Sequence, residues 1–379
     1  MFENSYRDKV VLVTGHTGFK GAWLSIWLFR LGAHVVGYSL EPPTTPSLFD
    51  TCGLANYLQD FRGDIRDAEK LSRLILRTRP DFVFHLAASP LVLRSYANPL
   101  ETFDVNVVGT VSLLEAIRRS RLNCSVVAVS TDKCYINREW EYGYREEDPL
   151  GGRDPYSASK AAMEIAIASF RESFFSQEAA GNGGVRLASA RAGNVLGGGD
   201  WAPNRIIPDS VRALRANEVL KVRSPKAIRP WQHVLEPLSG YLALGAKLAT
   251  QRGEHFAGAW NFGPVPTDFY TVANLVDTVI STWGSGSWMS DAASDAPHEA
   301  GVLRLCIDKS TSLLGWRPIW DLSETVKRAV LWYRGYYLYP EAPKVIFDSC
   351  ISDIAQYEAA AFEKGLQWAL RSPGPVEKS

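Results

Sequence analysis

The sequence predicts an α/β protein built on a doubly wound parallel sheet, with a smaller α/β lobe towards the C terminus. A short apolar run, Lys9 to Val13, has the composition of a buried strand and leads through a glycine-rich turn into the apolar helical stretch Ala22 to Leu31. Strand and helix patterns then alternate through the first half of the chain, as they do in parallel sheets covered by helices on both faces. From about Gly197 the pattern changes to loops, isolated helices and short strands.

Four later strands and a further helix follow from the hydrophobic pattern. The predicted strands are His34–Ser39, Asp81–Leu86, Ser125–Ser130 and Val185–Ala190, and the predicted helix is Thr110–Ser120. Ligands of such sheets bind beyond the carboxyl ends of the strands. Residues that follow a strand are therefore the first candidates for a functional site.

The turn after the first strand has the spacing of a dinucleotide-binding loop. Gly15, Gly18 and Gly21 follow the pattern G-x-x-G-x-x-G between a strand and a helix. Gly15 can take the tight turn, Gly18 lets the backbone approach a pyrophosphate, and Gly21 lets the helix pack closely on the strand. The helix N-terminus offers unpaired N–H groups and a partial positive charge to phosphates. This predicts a Rossmann-type domain.

We expect two structural units and a short tail. Residues 1–196 form the dinucleotide-binding domain, and later segments near 231–262 return to it. Residues 197–371 form mainly the smaller lobe, which is expected to bind substrate. Residues 372–379 are polar, contain proline and are expected to be a mobile tail.

Composition excludes several classes of function. The chain has 379 residues, 46% of them hydrophobic, which is enough for two domains or for one domain with an added lobe. Its 41 basic and 41 acidic side chains give no basic footprint for nucleic acid or a membrane surface. No apolar run reaches the roughly 18 residues that span a bilayer, and the polar start is unlike a signal peptide. Five cysteines without paired or metal-ligand spacing indicate reduced thiols in a cytoplasmic protein without a metal site.

Tyr156 and Lys160 are the strongest candidates for chemistry. They lie four residues apart, on one face of a predicted helix. The lysine charge can lower the pKa of the tyrosine from its usual value of about 10. A tyrosine held in this way can accept a proton from an alcohol while hydride leaves the same carbon.

These motifs resemble those of the extended short-chain dehydrogenase/reductase family, over most of the chain. Within that family the sequence is most similar to the branch of CDP-glucose 4,6-dehydratases. The similarity is carried by Val13–Gly21, Gly37–Leu40 with Pro42–Thr44, Ser130–Tyr135, Arg191–Ala202 and Arg229–Val234. The resemblance implies a hydro-lyase with a tightly held NAD, which converts CDP-glucose into CDP-4-keto-6-deoxyglucose and water. Such products feed dideoxysugar synthesis for bacterial lipopolysaccharide O-antigen.

The resemblance also implies catalytic roles. Tyr156 removes the proton of the sugar 4-hydroxyl, and Lys160 holds the phenolate charge. Thr131 hydrogen-bonds the 4-oxygen, and Asp132 is the candidate acid for the leaving 6-hydroxyl, which requires a raised pKa. Related dTDP-glucose dehydratases carry Asp-Glu here, with Glu as the C5 base, whereas this chain has Lys133. Lys133 can act as the base if burial makes it neutral, or it can stay charged and stabilise the enolate.

Cofactor contacts are expected at the glycine-rich turn, after residue 63 and after the strand 81–86. The residues are Gly15, Thr17, Gly18, Phe19, Gly21, Asp64, Ile65, Ala87, Ala88, Tyr156 and Lys160. No acid ends the second strand, where Tyr38 and Ser39 stand, although an acid there usually binds the NAD ribose. No arginine stands there to take a 2′-phosphate either. The residues leave NAD and NADP open, and the resemblance selects NAD.

Substrate contacts are expected in the C-terminal half. Asn194, Arg205 and Arg229 resemble positions that bind the nucleotide diphosphate, a task that suits the paired N–H donors of arginine. His298 is expected to contact the sugar nucleotide. Relatives pair through helices beside the active-site strand, here Thr102–Arg118 and Pro155–Gln177, so a homo-oligomer, either a dimer or a tetramer, is expected.

Two alternatives to this function stay open. One is another nucleotide-sugar 4,6-dehydratase, or a 4-epimerase, of the same family. Asp132 and Lys133 favour dehydration, because an epimerase needs no acid–base pair for elimination. The other is a non-catalytic dinucleotide-binding sensor, since a fold does not fix a function. Retention of Tyr156 and Lys160 argues against the sensor.

Overall fold

The computed structural model describes residues 1–176, 184–265, 270–291 and 303–370. The strands are β1 Val10–Thr14, β2 His34–Ser39, β3 Gln59–Arg62, β4 Phe82–His85, β5 Ser125–Val129, β6 Arg186–Ala192, β7 Val195–Leu196, β8 Leu220–Val222, β9 Gln232–His233, β10 Ala259–Phe262 and β11 Trp288–Ser290. The α-helices are α1 Phe19–Arg30, α2 Leu48–Thr51, α3 Ala68–Thr78, α4 Val92–Ala97, α5 Pro99–Phe103, α6 Gly109–Ser120, α7 Pro155–Phe174, α8 Ile206–Ala216, α9 Leu235–Leu248, α10 Val272–Trp283, α11 Asp308–Leu314, α12 Leu322–Leu338 and α13 Pro343–Glu363. A π-helical segment, Asp104–Val108, joins α5 to α6, and short 3-10 helices are Phe2–Asn4, Leu54–Asn56, Asp132–Cys134, Gly253–Phe256 and Gln367–Ala369.

Seven parallel strands form the central sheet, in the order β10-β6-β5-β4-β1-β2-β3. At its centre, Val11 of β1 pairs with Val35 of β2 on one side and with Phe82 of β4 on the other. The strand order reverses between β1 and β4. Connections from these two strands therefore leave in opposite directions and open a crevice beyond their carboxyl ends. The prediction of a doubly wound parallel α/β sheet is confirmed.

Both faces of the sheet are buried. In β1, Val11 and Val13 belong to one hydrophobic cluster, which also contains residues of α1 and α9. Leu12 points to the other face and packs in a second cluster with residues of α3, α6 and α7. Successive side chains of a strand point to opposite faces, so burial of both faces explains why β1 is apolar at every position but its last.

The predicted strands agree with the observed ones to within two residues, and β2 has the predicted bounds. Two strands of the sheet were not predicted, β3 and β10. They form its two edges, and β3 has the sequence Gln-Asp-Phe-Arg with a mostly half-buried pattern. The exposure of β3 removes the apolar run that identifies a buried strand, whereas β10 is a short strand buried at three of its four positions. β10 belongs to the segment expected to return to the sheet, and it pairs with β6.

The C-terminal half adds small elements around one end of the sheet. β7 pairs with β9 and β8 pairs with β11, both in parallel. The last long helix, α13, packs against α1, where Glu358 accepts a hydrogen bond from Trp27 at 2.9 Å and pairs with Arg30 at 3.0 Å. The expected tail, 372–379, lies outside the described residues. Within the described ranges, no helix has both the length and the hydrophobicity needed to cross a membrane.

Candidate active site

A cavity of about 1900 Å³ opens beyond the carboxyl ends of β1, β2, β4, β5 and β6. It brings together every predicted site residue that the structure describes. These are Gly15, Thr17, Gly18, Phe19, Gly21, Asp64, Ile65, Ala87, Ala88, Thr131, Asp132, Lys133, Tyr156, Lys160, Asn194, Arg205 and Arg229. The remaining prediction, His298, falls outside the described residues.

The turn between β1 and α1 forms a cradle that side chains would fill. Gly15 has a φ of +76°, and a Cβ there would lie 2.7 Å from the backbone nitrogen of Ala87. A Cβ on Gly21 would lie 2.1 Å from the carbonyl oxygen of Gly15. No side chain caps the N-terminus of α1 at Gly18, so its N–H groups face the cavity without a side-chain acceptor. These features fit the pyrophosphate of a dinucleotide.

The loop after β4 is held by an asparagine that the sequence reasoning missed. Asn106 lies in the π-helical segment between α5 and α6. Its Oδ1 accepts from the Ser89 backbone N–H at 2.8 Å, and its Nδ2 donates to the Ser89 carbonyl at 3.2 Å and to Ser159 Oγ at 2.9 Å. Asn106 thereby joins the loop to the helix that carries Tyr156. The π-turn that places it has no simple signature in the sequence.

Tyr156 and Lys160 lie in the first two turns of α7. Both side chains are buried. Asp154 caps this helix by accepting from the Ser157 N–H at 2.9 Å, and Ser95 Oγ accepts from the Tyr156 N–H at 3.1 Å. The helix start is therefore fixed on two sides.

The expected effect of Lys160 on Tyr156 is not observed. Burial raises the pKa of Tyr156 to about 12, against a lowering hydrogen bond with Thr131. Lys160 Nζ donates instead to the Val129 carbonyl at 3.2 Å, and burial lowers its own pKa to about 8. Desolvation of the buried hydroxyl outweighs the hydrogen bond from Thr131 and the charge of Arg205, which both lower this pKa.

Thr131, Asp132 and Lys133 follow β5 at the cavity floor. Thr131 Oγ1 donates to Asp132 Oδ1 at 3.0 Å, and Asp132 is only 2% exposed. Burial raises the pKa of Asp132, while the charges of Lys133, Lys20 and Arg229 and the hydrogen bond from Thr131 lower it. A raised pKa is the property expected of the candidate acid. Lys133 is half-buried at the cavity wall.

Lys20 is a second residue that the sequence reasoning left without a role. It stands in the first turn of α1, and its Nζ donates to the hydroxyl of the buried Tyr241 at 3.3 Å. Burial lowers the pKa of Lys20 to about 7, helped by the charges of Arg205 and Lys160 and opposed by Asp132. Lys20 therefore shares one charge cluster with Asp132. The only sequence signal was a lysine inside the glycine-rich turn.

The candidate substrate residues come from the loop after β6, from the start of α8 and from the loop between β8 and β9. Arg205 pairs with Asp200 at 2.7 Å, and one third of its side chain is exposed, at 34%. Arg229 is half-buried and lies close enough to Asp132 to affect its pKa. Asn194 is half-buried, and its carbonyl accepts from the Gln232 N–H at 3.2 Å. Two guanidinium groups thus face one cavity, as an anionic ligand requires.

The sequence analysis expected no arginine at the end of the second strand, and the structure corrects this. An arginine does lie there, because Arg62 of β3 pairs in register with Ser39. Arg62 Nη1 donates to the Leu40 carbonyl at 3.1 Å, and its Nη2 donates to Asp60 at 2.8 Å. The neighbouring strand supplied this group, so the residues of β2 alone did not reveal it.

A family model described as GDP-mannose 4,6 dehydratase matches residues 12–329 of the chain. The CDP-glucose 4,6-dehydratase of Salmonella typhimurium is 49% identical over 335 residues, which cover 88% of this chain and 93% of that protein. The dTDP-glucose 4,6-dehydratase of Streptomyces antibioticus is 28% identical over 345 residues, 86% of this chain and 92% of that protein.

Solved structures share the fold. The dTDP-glucose 4,6-dehydratase of Streptomyces venezuelae, with NAD and TYD bound, gives a TM-score of 0.73 at 24% identity. The match covers 88% of this chain and 100% of that chain. The UDP-glucose 4-epimerase of Thermotoga maritima, with UDP-glucose, gives a TM-score of 0.71 at 21% identity and covers 86% of this chain and 98% of that chain. At these identities the likeness concerns the fold alone.

Proposed function

Because the chain belongs to the GDP-mannose 4,6-dehydratase family, we propose that it is a CDP-glucose 4,6-dehydratase, as its similarity to the Salmonella enzyme supports. The reaction oxidises the sugar at C4, removes water across C5 and C6, and reduces C6. CDP-glucose gives CDP-4-keto-6-deoxyglucose and one water, so no external oxidant or reductant is consumed.

NAD is the cofactor of this reaction, and the residues of the cradle fit it. Gly15, Gly18 and the start of α1 would hold the pyrophosphate, since their backbone is open to the cavity. Asp64 and Ile65 line the cavity where the adenine is expected. When bound, NAD would supply the hydride acceptor for C4 and the hydride donor for C6.

Tyr156 is the proposed base for the 4-hydroxyl. Its phenol is buried, and a hydrogen bond from Thr131 lowers its pKa against the larger effect of burial. Loss of a proton by a phenol of raised pKa is favoured by positive charge close by, which Lys160 and a bound oxidised nicotinamide would provide. Thr131 is proposed to hydrogen-bond the 4-oxygen, for which its hydroxyl would turn away from Asp132 Oδ1, 3.0 Å away.

Asp132 and Lys133 are the proposed groups for elimination. A carboxyl group with a raised pKa can hold a proton and donate it to the leaving 6-hydroxyl. Lys133 either removes the C5 proton or stabilises the enolate with its charge. The observation that supports dehydration most is that Tyr156, the group for oxidation, and Asp132, a group for elimination, are both buried and line one cavity, where Thr131 donates to Asp132 at 3.0 Å.

Asn194, Arg205 and Arg229 are the proposed contacts to the nucleotide diphosphate. The two arginines line the same cavity as Tyr156 and Asp132, and their paired N–H donors suit the oxygens of a diphosphate. His298 is proposed to contact the sugar nucleotide as well.

The test is turnover of CDP-, dTDP-, GDP- and UDP-glucose with the mass of each product recorded. We expect the loss of one water from CDP-glucose, with the other nucleotides turned over much more slowly. A product of unchanged mass but altered stereochemistry would indicate an epimerase. Dinucleotide binding without any product would indicate a sensor.

A further inference from the structure

The turn after β2 is fixed by hydrogen bonds at its first two residues. Ser39 Oγ lies 2.8 Å from Thr17 Oγ1, so the strand end is tied to the glycine-rich turn. The Leu40 carbonyl accepts from Thr17 Oγ1 at 3.0 Å and from Arg62 Nη1 at 3.1 Å. With that carbonyl held by two donors, the position of the next residue, Glu41, is set by the fold.

Glu41 lines the cavity at the end where the adenosine half of a dinucleotide is expected. Its side chain is 79% exposed, and its nearest cation is Arg62 at 3.6 Å. The two other carboxylates at this end are engaged more tightly. Asp60 binds Arg62 at 2.8 Å and His16 at 2.9 Å, and both oxygens of Asp64 accept from Arg66, at 2.9 and 2.6 Å.

We propose that Glu41 binds the hydroxyls of the adenosine ribose and selects NAD against NADP. The proposal rests on the proposed function, which places a dinucleotide in this cavity. A carboxylate can accept from both hydroxyls of a ribose, and such charge-assisted bonds are strong. A 2′-phosphate would bring a charge of about −1.5 to −2 against the same carboxylate. Glu41, two residues after the end of β2, thus takes the role of the acid that usually ends the second strand.

Arg62, the cation next to Glu41, would favour NADP over NAD. Its guanidinium stacks on Phe49, with 4.8 Å between the guanidinium carbon and the ring centroid, and donates to Asp60 and Leu40. Without the Glu41 charge, Asp60 is the carboxylate that still pairs with this guanidinium, and Arg62 is the group at the end of β2 that would attract a 2′-phosphate. Glu41 and Arg62 therefore act in opposite directions on the choice of dinucleotide.

The experiment measures the dissociation constants of NAD and NADP directly, by calorimetry or tryptophan fluorescence, without any sugar nucleotide. In Glu41→Gln, which keeps the size of the side chain, NAD should bind about tenfold more weakly and NADP more tightly. Adding Arg62→Met to Glu41→Gln should remove the gain for NADP. Asp209→Asn is the control, because Asp209, in the first turn of α8, lines the same cavity and pairs with Arg212.

An NAD-to-NADP preference in Glu41→Gln equal to that of the wild-type protein would overturn the inference and leave the proposed function intact. Wild-type protein that binds NAD and NADP equally would also overturn it. Wild-type protein that binds neither dinucleotide would overturn the proposed function together with this inference. A change of the same size in Asp209→Asn would show that net charge alone, and not Glu41, sets the preference.

Discussion

Tyr156 illustrates how burial controls the chemistry of a single residue here. Its pKa is raised to about 12, mainly by burial, so it is a neutral phenol near neutral pH. It can act as a base only when positive charge is added beside it. A bound oxidised nicotinamide would add such a charge, whereas the nucleotide sugar, an anion, would not.

Tyr156→Phe should lower turnover of CDP-glucose by roughly 10²- to 10⁴-fold, the usual contribution of a general acid or base. The ring stays in place, so NAD binding should change little. Turnover is measured by product mass and NAD binding by fluorescence. A turnover rate near that of the wild-type protein would contradict the assignment of the base.

Lys133→Met should separate oxidation from elimination. We expect C4 oxidation to proceed and water loss to stop, so that reduced nicotinamide accumulates on the protein and is seen by its absorbance. Water loss at the normal rate would show that Lys133 has no catalytic role.

Lys133→Arg distinguishes the two roles left open for this residue. Arginine keeps a positive charge but is not deprotonated in proteins. If Lys133 removes the C5 proton, the arginine variant should be blocked like the methionine variant. If its charge stabilises the enolate, the arginine variant should recover much of the rate.

At the scale of elements, a buried carboxylate ties three C-terminal segments together. Glu236 of α9 accepts from the backbone N–H of Ile319 at 3.0 Å, from that of Trp320 at 2.7 Å and from the hydroxyl of Tyr357 at 2.6 Å. Burial raises its pKa from 4.5 to about 7, against these hydrogen bonds. The folded protein therefore holds this proton more tightly than the unfolded chain does.

This predicts how stability depends on pH. Between about pH 4.5 and 7 the folded state binds a proton that the unfolded chain has lost, so this group's contribution to the free energy of unfolding falls by about 1.4 kcal/mol per pH unit. In Glu236→Gln the amide side chain does not titrate, so this pH dependence should be absent. The variant should be less stable at pH 5 by about 1–3 kcal/mol, since it offers a poorer set of acceptors, and the gap should narrow by pH 8.

Guanidinium unfolding curves of both proteins at several pH values check this prediction. Glu69→Gln on α3 is the control, because that side chain is 88% exposed. A gap between wild-type protein and Glu236→Gln that is constant with pH would show that Glu236 ionises normally.

At the scale of the whole molecule, exposed apolar side chains mark the helices expected to form an oligomer. Leu100 on α5, Val108 at the end of the π-helical segment and Ile165 on α7 are 75%, 51% and 60% exposed. α5 and the π-helical segment both contact α7, so these side chains belong to one packed group of helices. Apolar surface of this kind is typical of an interface.

We expect the protein to be a dimer or tetramer through these helices. Ile165→Glu should reduce the molar mass measured by light scattering, because a buried charge without a partner destabilises an interface. Leu313→Glu is a matched control, since Leu313 on α11 is also 60% exposed. A monomeric wild-type protein, or an Ile165→Glu variant of unchanged mass, would contradict the assignment.

The sequence alone predicted five of the seven strands of the central sheet and the residues that line the candidate site. The features predicted correctly are formed by residues close together in the chain, so they can be identified without a structure. They are the strands β1, β2, β4, β5 and β6, the glycine-rich turn and the Tyr156–Lys160 pair. The strand-end rule then predicted one cavity, and all seventeen described candidates line it.

Which distant groups meet in that cavity depends on how the chain packs in three dimensions. Lys20 meets Tyr241 across 221 positions of the chain, and Arg62 reaches the end of β2 from the next strand. Burial, which raises the pKa of Tyr156 where its neighbour Lys160 was expected to lower it, is likewise a property of the packed fold. Such effects depend on distance and desolvation in three dimensions, and no spacing along the chain encodes either.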